Sequence, residues 1–212
     1  MSRGYFITLE GGEGCGKSTQ IQKLKDYVAD CKDKYLFTVE PGGYPLCEDI
    51  RKLLLYSEHK DMCDKAEFLL FTASRAELVN KVILPNLESG VNVICDRFYD
   101  SSIVYQGGAR GLGEDNIRMV TKFAVGDLVP DVTIYLDIDP ETAFARKGGA
   151  DQSDRIEMAG LAFHKKVYDG YHTLIEEEKD RFLVIDATQS ADKVFADILL
   201  GLKAKGIILD DE

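Results

Sequence analysis

No apolar run in the sequence approaches the ~20 residues that cross a bilayer, so nothing marks a membrane protein. The start of the chain lacks the basic-then-apolar layout of a signal peptide. The five cysteines, Cys15, Cys31, Cys47, Cys63 and Cys95, contain no C-x-x-C pair. An odd count without a pairing pattern fits reduced thiols and a cytoplasmic location. Four of them recur at intervals of 16, but their flanks do not repeat, which argues against an internal repeat. The three histidines, His59, His164 and His172, have no metal-ligand spacing. A basic excess is missing too: 26 Lys and Arg stand against 37 Asp and Glu, a net charge of −11. That balance argues against a role in tracking a nucleic-acid backbone. It leaves room for a small anionic ligand held by a few cations in one cleft.

What is present reads as one ordinary globular domain over residues 1–212, with 45% hydrophobic and 30% charged residues. Strands are predicted at 5–10, 35–39, 91–95, 132–138 and 182–185, from β-branched and aromatic content. Helical periodicity is predicted over 18–31, 50–56, 64–87, 101–106, 114–125, from Pro140, over 156–178 and over 191–203. Gly107 to Gly111 reads as flexible, Lys147 to Ser153 (KGGADQS) as a mobile loop, and Asp210 to Glu212 as a solvated tail. Strands alternating with helices predict an α/β three-layer sandwich: a five-stranded parallel sheet with helices on both faces. Such sheets bind ligands beyond the carboxyl ends of their strands.

Polar marks fall at three of those ends. After the first strand comes Gly11-Gly12-Glu13-Gly14-Cys15-Gly16-Lys17-Ser18, a full match to G-x-x-x-x-G-K-[ST], followed by Thr19 on the first helix. Glycines let the backbone wrap a phosphate with its N–H groups inward, and the helix N-terminus adds partial positive charge. Lys17 reaches the transferred phosphate and the Ser18 hydroxyl can ligate Mg²⁺. The fold is therefore of the P-loop NTPase type. Glu40-Pro41-Gly42-Gly43 ends the second strand and Asp96-Arg97 the third.

Each further candidate carries two readings. Asp96 either holds Mg²⁺ opposite Ser18 or caps the next helix. Arg97 either grips phosphate oxygens with its planar fork or forms a surface ion pair. Phe71 and Arg75, at i and i+4, share a helix face. They either stack a base and bond its edge, or are a core aromatic and a surface cation. Glu13 is an odd carboxylate for a phosphate loop, facing either the acceptor or solvent. Cys15 is a small filler or an oxidation-sensitive thiol.

These stretches resemble the bacterial form of the thymidylate kinase family, one of the nucleoside monophosphate kinases. The matching residues are Leu9 to Thr19, Glu40 to Gly43, Phe71-Thr72-Ala73-Ser74-Arg75, Asp96-Arg97-Phe98 with Ser101, Tyr105 and Gln106, and Asp154-Arg155-Ile156-Glu157. The resemblance implies ATP and dTMP as substrates, Mg²⁺ as cofactor, and a homodimer packed through the long helices. It implies that Lys17 and the loop amides of residues 11–19 hold ATP, with Arg146 against adenine. Ser18, Asp96 and Glu157 would serve the metal. Arg97 and Arg51 would hold the acceptor phosphate, with Glu13 approaching the sugar or that phosphate. Phe71 would stack on thymine and Arg75 bond its O4, with Ser102 near the base edge and Tyr105 under the deoxyribose. Glu40, Ser101 and Gln106 complete the acceptor set. Residues 147–154 would be the lid.

Departures from the family pattern are Val39, Tyr44, Phe98 and Gly14. Family members with no basic residue at the loop position of Gly14 supply arginine from the lid. Here the lid region offers Lys147, Arg146 and Arg155. Arg155 is the expected catalytic cation and Lys147 the second choice. Two rival functions remain from the residues: a deoxynucleoside kinase using Glu40 as general base, and a P-loop regulatory ATPase.

Overall fold

A computed structural model describes residues 3–55, 59, 61–149 and 154–209. In chain order the elements are β1 (Phe6–Glu10), α1 (Lys17–Tyr27), β2 (Tyr35–Val39), α2 (Pro45–Leu55), α3 (Asp64–Leu78), α4 (Leu84–Glu88), β3 (Asn92–Asp96), α5 (Tyr99–Ser102), α6 (Glu114–Val125), β4 (Val132–Asp137), α7 (Pro140–Lys147), α8 (Leu161–Glu177), β5 (Phe182–Asp186) and α9 (Ala191–Ala204). The strands form one parallel sheet in the order β2-β3-β1-β4-β5. The carboxyl ends of β2, β3 and β1 are therefore neighbours, which brings Glu40, Asp96 and the glycine loop to one crevice.

Side chains alternate across the sheet as the pleat requires. Ile7, Leu9, Ile94, Ile134 and Leu136 face α1 and α9. Phe6, Val93, Cys95 and Tyr135 face the other layer, with Phe98 and Tyr171. Phe98 packs edge-on against Phe6, with ring centroids 4.9 Å apart. Phe98 is fully buried. A phenolic hydroxyl there would need a buried partner, so phenylalanine suits the position.

Several boundaries differ from the sequence reading. α2 begins at Pro45, ahead of the expected Ile50, and the expected end at Tyr56 lies outside the described residues. The expected helix over 64–87 is continuous but widens to π-helical turns over Val79–Ile83. Gly107 to Ala109 is not flexible: a second π-helical stretch, Ile103–Ala109, carries straight on from α5. Gly107 is buried, and a Cβ there would fall 3.2 Å from the Glu114 Cα, so close packing against α6 is what calls for glycine. The expected helix from Ile156 opens with a 3₁₀ turn, Glu157–Ala159, and α8 starts only after Gly160. Of the expected lid, Lys147 closes α7 and Gly148 and Gly149 form a turn; residues 150–153 lie outside the described residues, as does the tail 210–212.

Candidate active site

One crevice of about 480 Å³ opens over the carboxyl edge of the sheet. Its floor is the glycine loop, and Gly14, Gly16, Lys17, Ser18 and Thr19 line it. Lys17 Nζ donates to the carbonyls of Gly11 (3.1 Å) and Gly12 (3.0 Å), and touches the buried Cys15 Sγ at 3.6 Å. Gly11 and Cys15 are buried beneath the loop, while Gly12 is half-buried and lines a smaller cavity that also touches Glu13. Gly14 has φ +76°, and a Cβ there would fall 2.8 Å from the Ala143 carbonyl oxygen. The left-handed backbone and this contact exclude a side chain, which explains physically why the loop carries no cation at that position.

Arg97 dominates the acceptor side. It is the one non-glycine residue with positive φ (69°) among the described residues, a strained conformation of the kind held at functional sites. Surrounding bonds impose it. Its N–H donates to the Leu9 carbonyl (3.0 Å), and the Cys95 thiol donates to its carbonyl (3.0 Å). Its guanidinium reaches Glu13 Oε1 at 2.5 Å and donates to Ser101 Oγ at 3.1 Å. The Tyr105 ring lies 5.3 Å from it, and the Tyr105 hydroxyl donates to Glu13 Oε1 at 3.3 Å. Burial alone would raise the Glu13 carboxyl, but Arg97 and then Lys17 hold it down to about 2. The carboxylate inside the phosphate loop is thereby neutralised by neighbours rather than faced to solvent.

The base side is built from α2, α3 and the helix after β3. Phe71 and Arg75 both line the crevice. Arg75 is buried, with Nη2 2.5 Å from Glu40 Oε1 and donating to Ser102 Oγ at 2.8 Å. Its Nε and Nη1 are buried without hydrogen-bond partners. Unpaired donors of this kind in a cleft mark a place where a ligand acceptor belongs. Glu40 is likewise buried; desolvation pushes its carboxyl up, to about 7, against the pull of Arg75. Arg51 lines the same wall and donates through Nη1 to the Pro41 carbonyl at 2.5 Å. Gln106 lines it too, its amide turned onto Glu67.

The opposite wall comes from α7 and the segment after the lid. Arg146 is pinned to the carbonyls of Ala187 (2.6 Å) and Thr188. Lys147 lines the crevice and is ion-paired with Glu157. Arg155 departs from expectation. It does not line the crevice; its Nη1 lies 2.6 Å from the buried Glu67, and its Nε donates to the Leu54 carbonyl at 3.2 Å. The cause is electrostatic: a buried carboxylate claims the nearest guanidinium.

A family model described as thymidylate kinase matches residues 9–198. A thymidylate kinase of Finegoldia magna is 44% identical over 203 residues, covering 96% of this chain and all of that protein. One from Deinococcus radiodurans is 42% identical over 206 residues, covering 97% of this chain and 100% of its own length. Among solved structures, thymidylate kinase from Ehrlichia chaffeensis superposes with a TM-score of 0.79 at 30% identity, over 95% of this chain and 99% of that one. The chain belongs to the thymidylate kinase family.

For a thymidylate kinase fold, the donors present suit Mg²⁺. Asp96 lines the crevice beside Ser18, and its Oδ1 is buried without a hydrogen-bond partner. Among the described residues no three His, Cys, Asp or Glu side chains cluster as a metal cage. Mg²⁺ characteristically takes one or two carboxylates and completes its shell with phosphate oxygens and water. Glu157, expected as a further donor, lines the same crevice, where it is ion-paired with Lys147.

Two acidic residues of this family member escaped the sequence reading. Glu10, fully buried at the end of β1, accepts from the Phe98 N–H (2.8 Å) and from the Ser101 and Tyr171 hydroxyls (2.7 Å each). It fixes the turn that carries Arg97. Burial, then Asp100, raises its carboxyl. The signal was a carboxylate closing an apolar strand, which has to be satisfied by buried donors. Glu67 is the second. A charged residue on a helix normally faces water, so its burial was not legible.

Proposed function

We propose that this enzyme transfers the γ-phosphoryl group of ATP to dTMP, giving ADP and dTDP. One observation carries the reading: a phosphate-binding loop shares a single crevice with Arg97, Arg51 and the Phe71–Arg75 face. Lys17 and the loop amides hold the donor phosphates. Arg97 and Arg51 receive the acceptor phosphate, with Arg97 exchanging part of its bond to Glu13. Phe71 stacks on the base, and the two unpaired Arg75 donors meet a carbonyl on its edge. Tyr105 and Gln106 close the sugar and base side, with Ser101, Ser102 and Glu40 orienting the two arginines.

The acceptor is a phosphate monoester, mostly dianionic near neutral pH with a second pKa of ~6, so it needs no general base. Glu40, committed to Arg75, is a holder rather than a base. Ser18 and Asp96 would hold Mg²⁺, which supplies charge neutralisation on the phosphates when bound. Of the lid-side cations, Arg146 and Lys147 line the crevice and Arg155 does not; with Arg146 bonded to the Ala187 and Thr188 carbonyls, we assign Lys147 to the transferring phosphoryl group. Leaving Glu157 is then part of closure.

We further infer a cytoplasmic homodimer. Phe123 is 92% exposed, Met119 67% and Leu69 57%, an apolar face across α6 and α3. No helix among the described residues is long and apolar enough to cross a membrane. The functional test is ADP release from ATP and Mg²⁺ with thymidine, dTMP, dUMP, dCMP, dGMP or no acceptor. Strong stimulation by dTMP is expected. Stimulation by thymidine supports a deoxynucleoside kinase instead, and indifference to acceptor supports a regulatory ATPase. Light scattering of Phe123→Asp tests the dimer: a shift to monomer is expected, and an unchanged mass contradicts that interface.

A further inference from the structure

Glu67 has no part in the reaction as described, yet its side chain is fully buried. It stands one helical turn before Phe71 and two before Arg75, on the same face of α3. Three residues from two other segments converge on its carboxylate. Gln106 Nε2 donates to Oε1 at 2.9 Å. Arg110 donates from Nε to Oε1 at 3.4 Å and from Nη2 to Oε2 at 3.2 Å. Arg155 Nη1 lies 2.6 Å from Oε2.

The segments matter. Arg155 belongs to the stretch that follows the lid, and its neighbours Asp154 and Ile156 line the crevice while Arg155 itself turns away. Its backbone N–H donates to the Leu55 carbonyl (3.3 Å) and its Nε to Leu54 (3.2 Å), so it also ties that stretch to the end of α2. Gln106 meets the other oxygen of the same carboxylate, in the wall assigned to the acceptor base. A single buried carboxylate therefore links the far end of the lid to the acceptor wall. Arg110 is anchored independently by the Phe163 ring (4.6 Å) and by Asp64 (3.5 Å). It keeps Glu67 charge-paired when Arg155 is removed.

We propose that Glu67 and Arg155 are positioning residues: Glu67 is the buried joint through which the segment after the lid sets Gln106 and the acceptor wall. This rests on the dTMP reading above. It also separates two roles for Arg155. A cation acting on the transferring phosphoryl group leaves dTMP affinity untouched when ATP is absent. A positioning residue acting through Glu67 and Gln106 changes that affinity.

The test is calorimetric titration of dTMP, without ATP, into the unaltered full chain and into Arg155→Gln, Glu67→Gln and the double variant. Each single change is expected to weaken dTMP binding about fivefold, the size of one disturbed charge-assisted hydrogen bond felt indirectly. The double variant is expected to be no worse than the weaker single, because the pair acts as one unit. Unchanged dTMP affinity in Arg155→Gln overturns the proposal, as does a double variant whose losses multiply. If Glu67→Gln does not fold, Arg155→Gln alone decides, since Arg110 still neutralises Glu67 there. Absence of dTMP binding to the unaltered chain overturns the proposed function and this inference with it.

Discussion

Glu13→Gln isolates the charge balance of the phosphate loop. The glutamine keeps the shape and one acceptor for Arg97 but removes the carboxylate that Arg97 contacts at 2.5 Å. Lowering a carboxyl from its ordinary 4.5 to about 2 corresponds to about 3 kcal/mol of native-state stability, an upper bound because the side chain is partly open to solvent. The sign follows from the depressed value. The contribution is complete above the unfolded pKa of 4.5 and is lost as pH falls through the folded value near 2. Glu13→Gln is therefore expected to be less stable than the unaltered chain by up to about 3 kcal/mol near neutrality, a gap narrowing to roughly 1.5 at about pH 3. In a chain of this size the neutral-pH loss appears as a fall of about 5–10 °C in Tm. Urea unfolding across that pH range is the assay. A stability gap of constant size from neutral pH to about pH 3 would refute the ionised Glu13–Arg97 pair.

Gly14→Ala is expected to cost about 1–2 kcal/mol, because the residue must hold a left-handed backbone with its Cβ 2.8 Å from the Ala143 carbonyl; thermal unfolding and ATP titration check both the stability loss and weaker ATP binding. Lys147→Ala is expected to lower kcat about a hundredfold while dTMP affinity stays within error, measured by steady-state kinetics and calorimetry. Asp100→Ala removes two of the bonds that hold Arg181, which meets both Asp100 oxygens at 2.7 and 2.9 Å, and leaves Glu178 as its remaining carboxylate partner. About 1.5–3 kcal/mol of stability should go with it, the size of lost hydrogen bonds to a charged group, with kcat per folded molecule unchanged in an activity assay corrected for unfolded protein.

What could be read from the sequence was local. The strand, glycine run and helix around Lys17 are adjacent in the chain, so their periods announce them. Phe71 and Arg75 share a face through simple helical spacing. The parallel sheet and the meeting of three polar strand ends followed from the alternation of elements; the strand order β2-β3-β1-β4-β5 did not. What failed was long-range or depended on packing. Arg155 looks like a lid cation by position, but its direction is set by Glu67 on α3, far away in the chain. Gly107 looked flexible by composition, yet tight packing against α6 orders it. The π-helical turns that present Tyr105 and Gln106 have no signature in a pattern read with a period of 3.6. Glu13 looked misplaced in a phosphate loop until Arg97 and Lys17 stood beside it. The pairing of Glu40 with Arg75 joins the end of β2 to α3 and could not be inferred from either stretch alone.

The central claim is that donor and acceptor phosphates meet in one crevice between Lys17 and Arg97. Quantifying every product formed from ATP, Mg²⁺ and dTMP by phosphorus NMR tests it most directly. The account predicts dTDP and ADP appearing in equal amounts, with little free phosphate. ADP and inorganic phosphate formed without dTDP would contradict it.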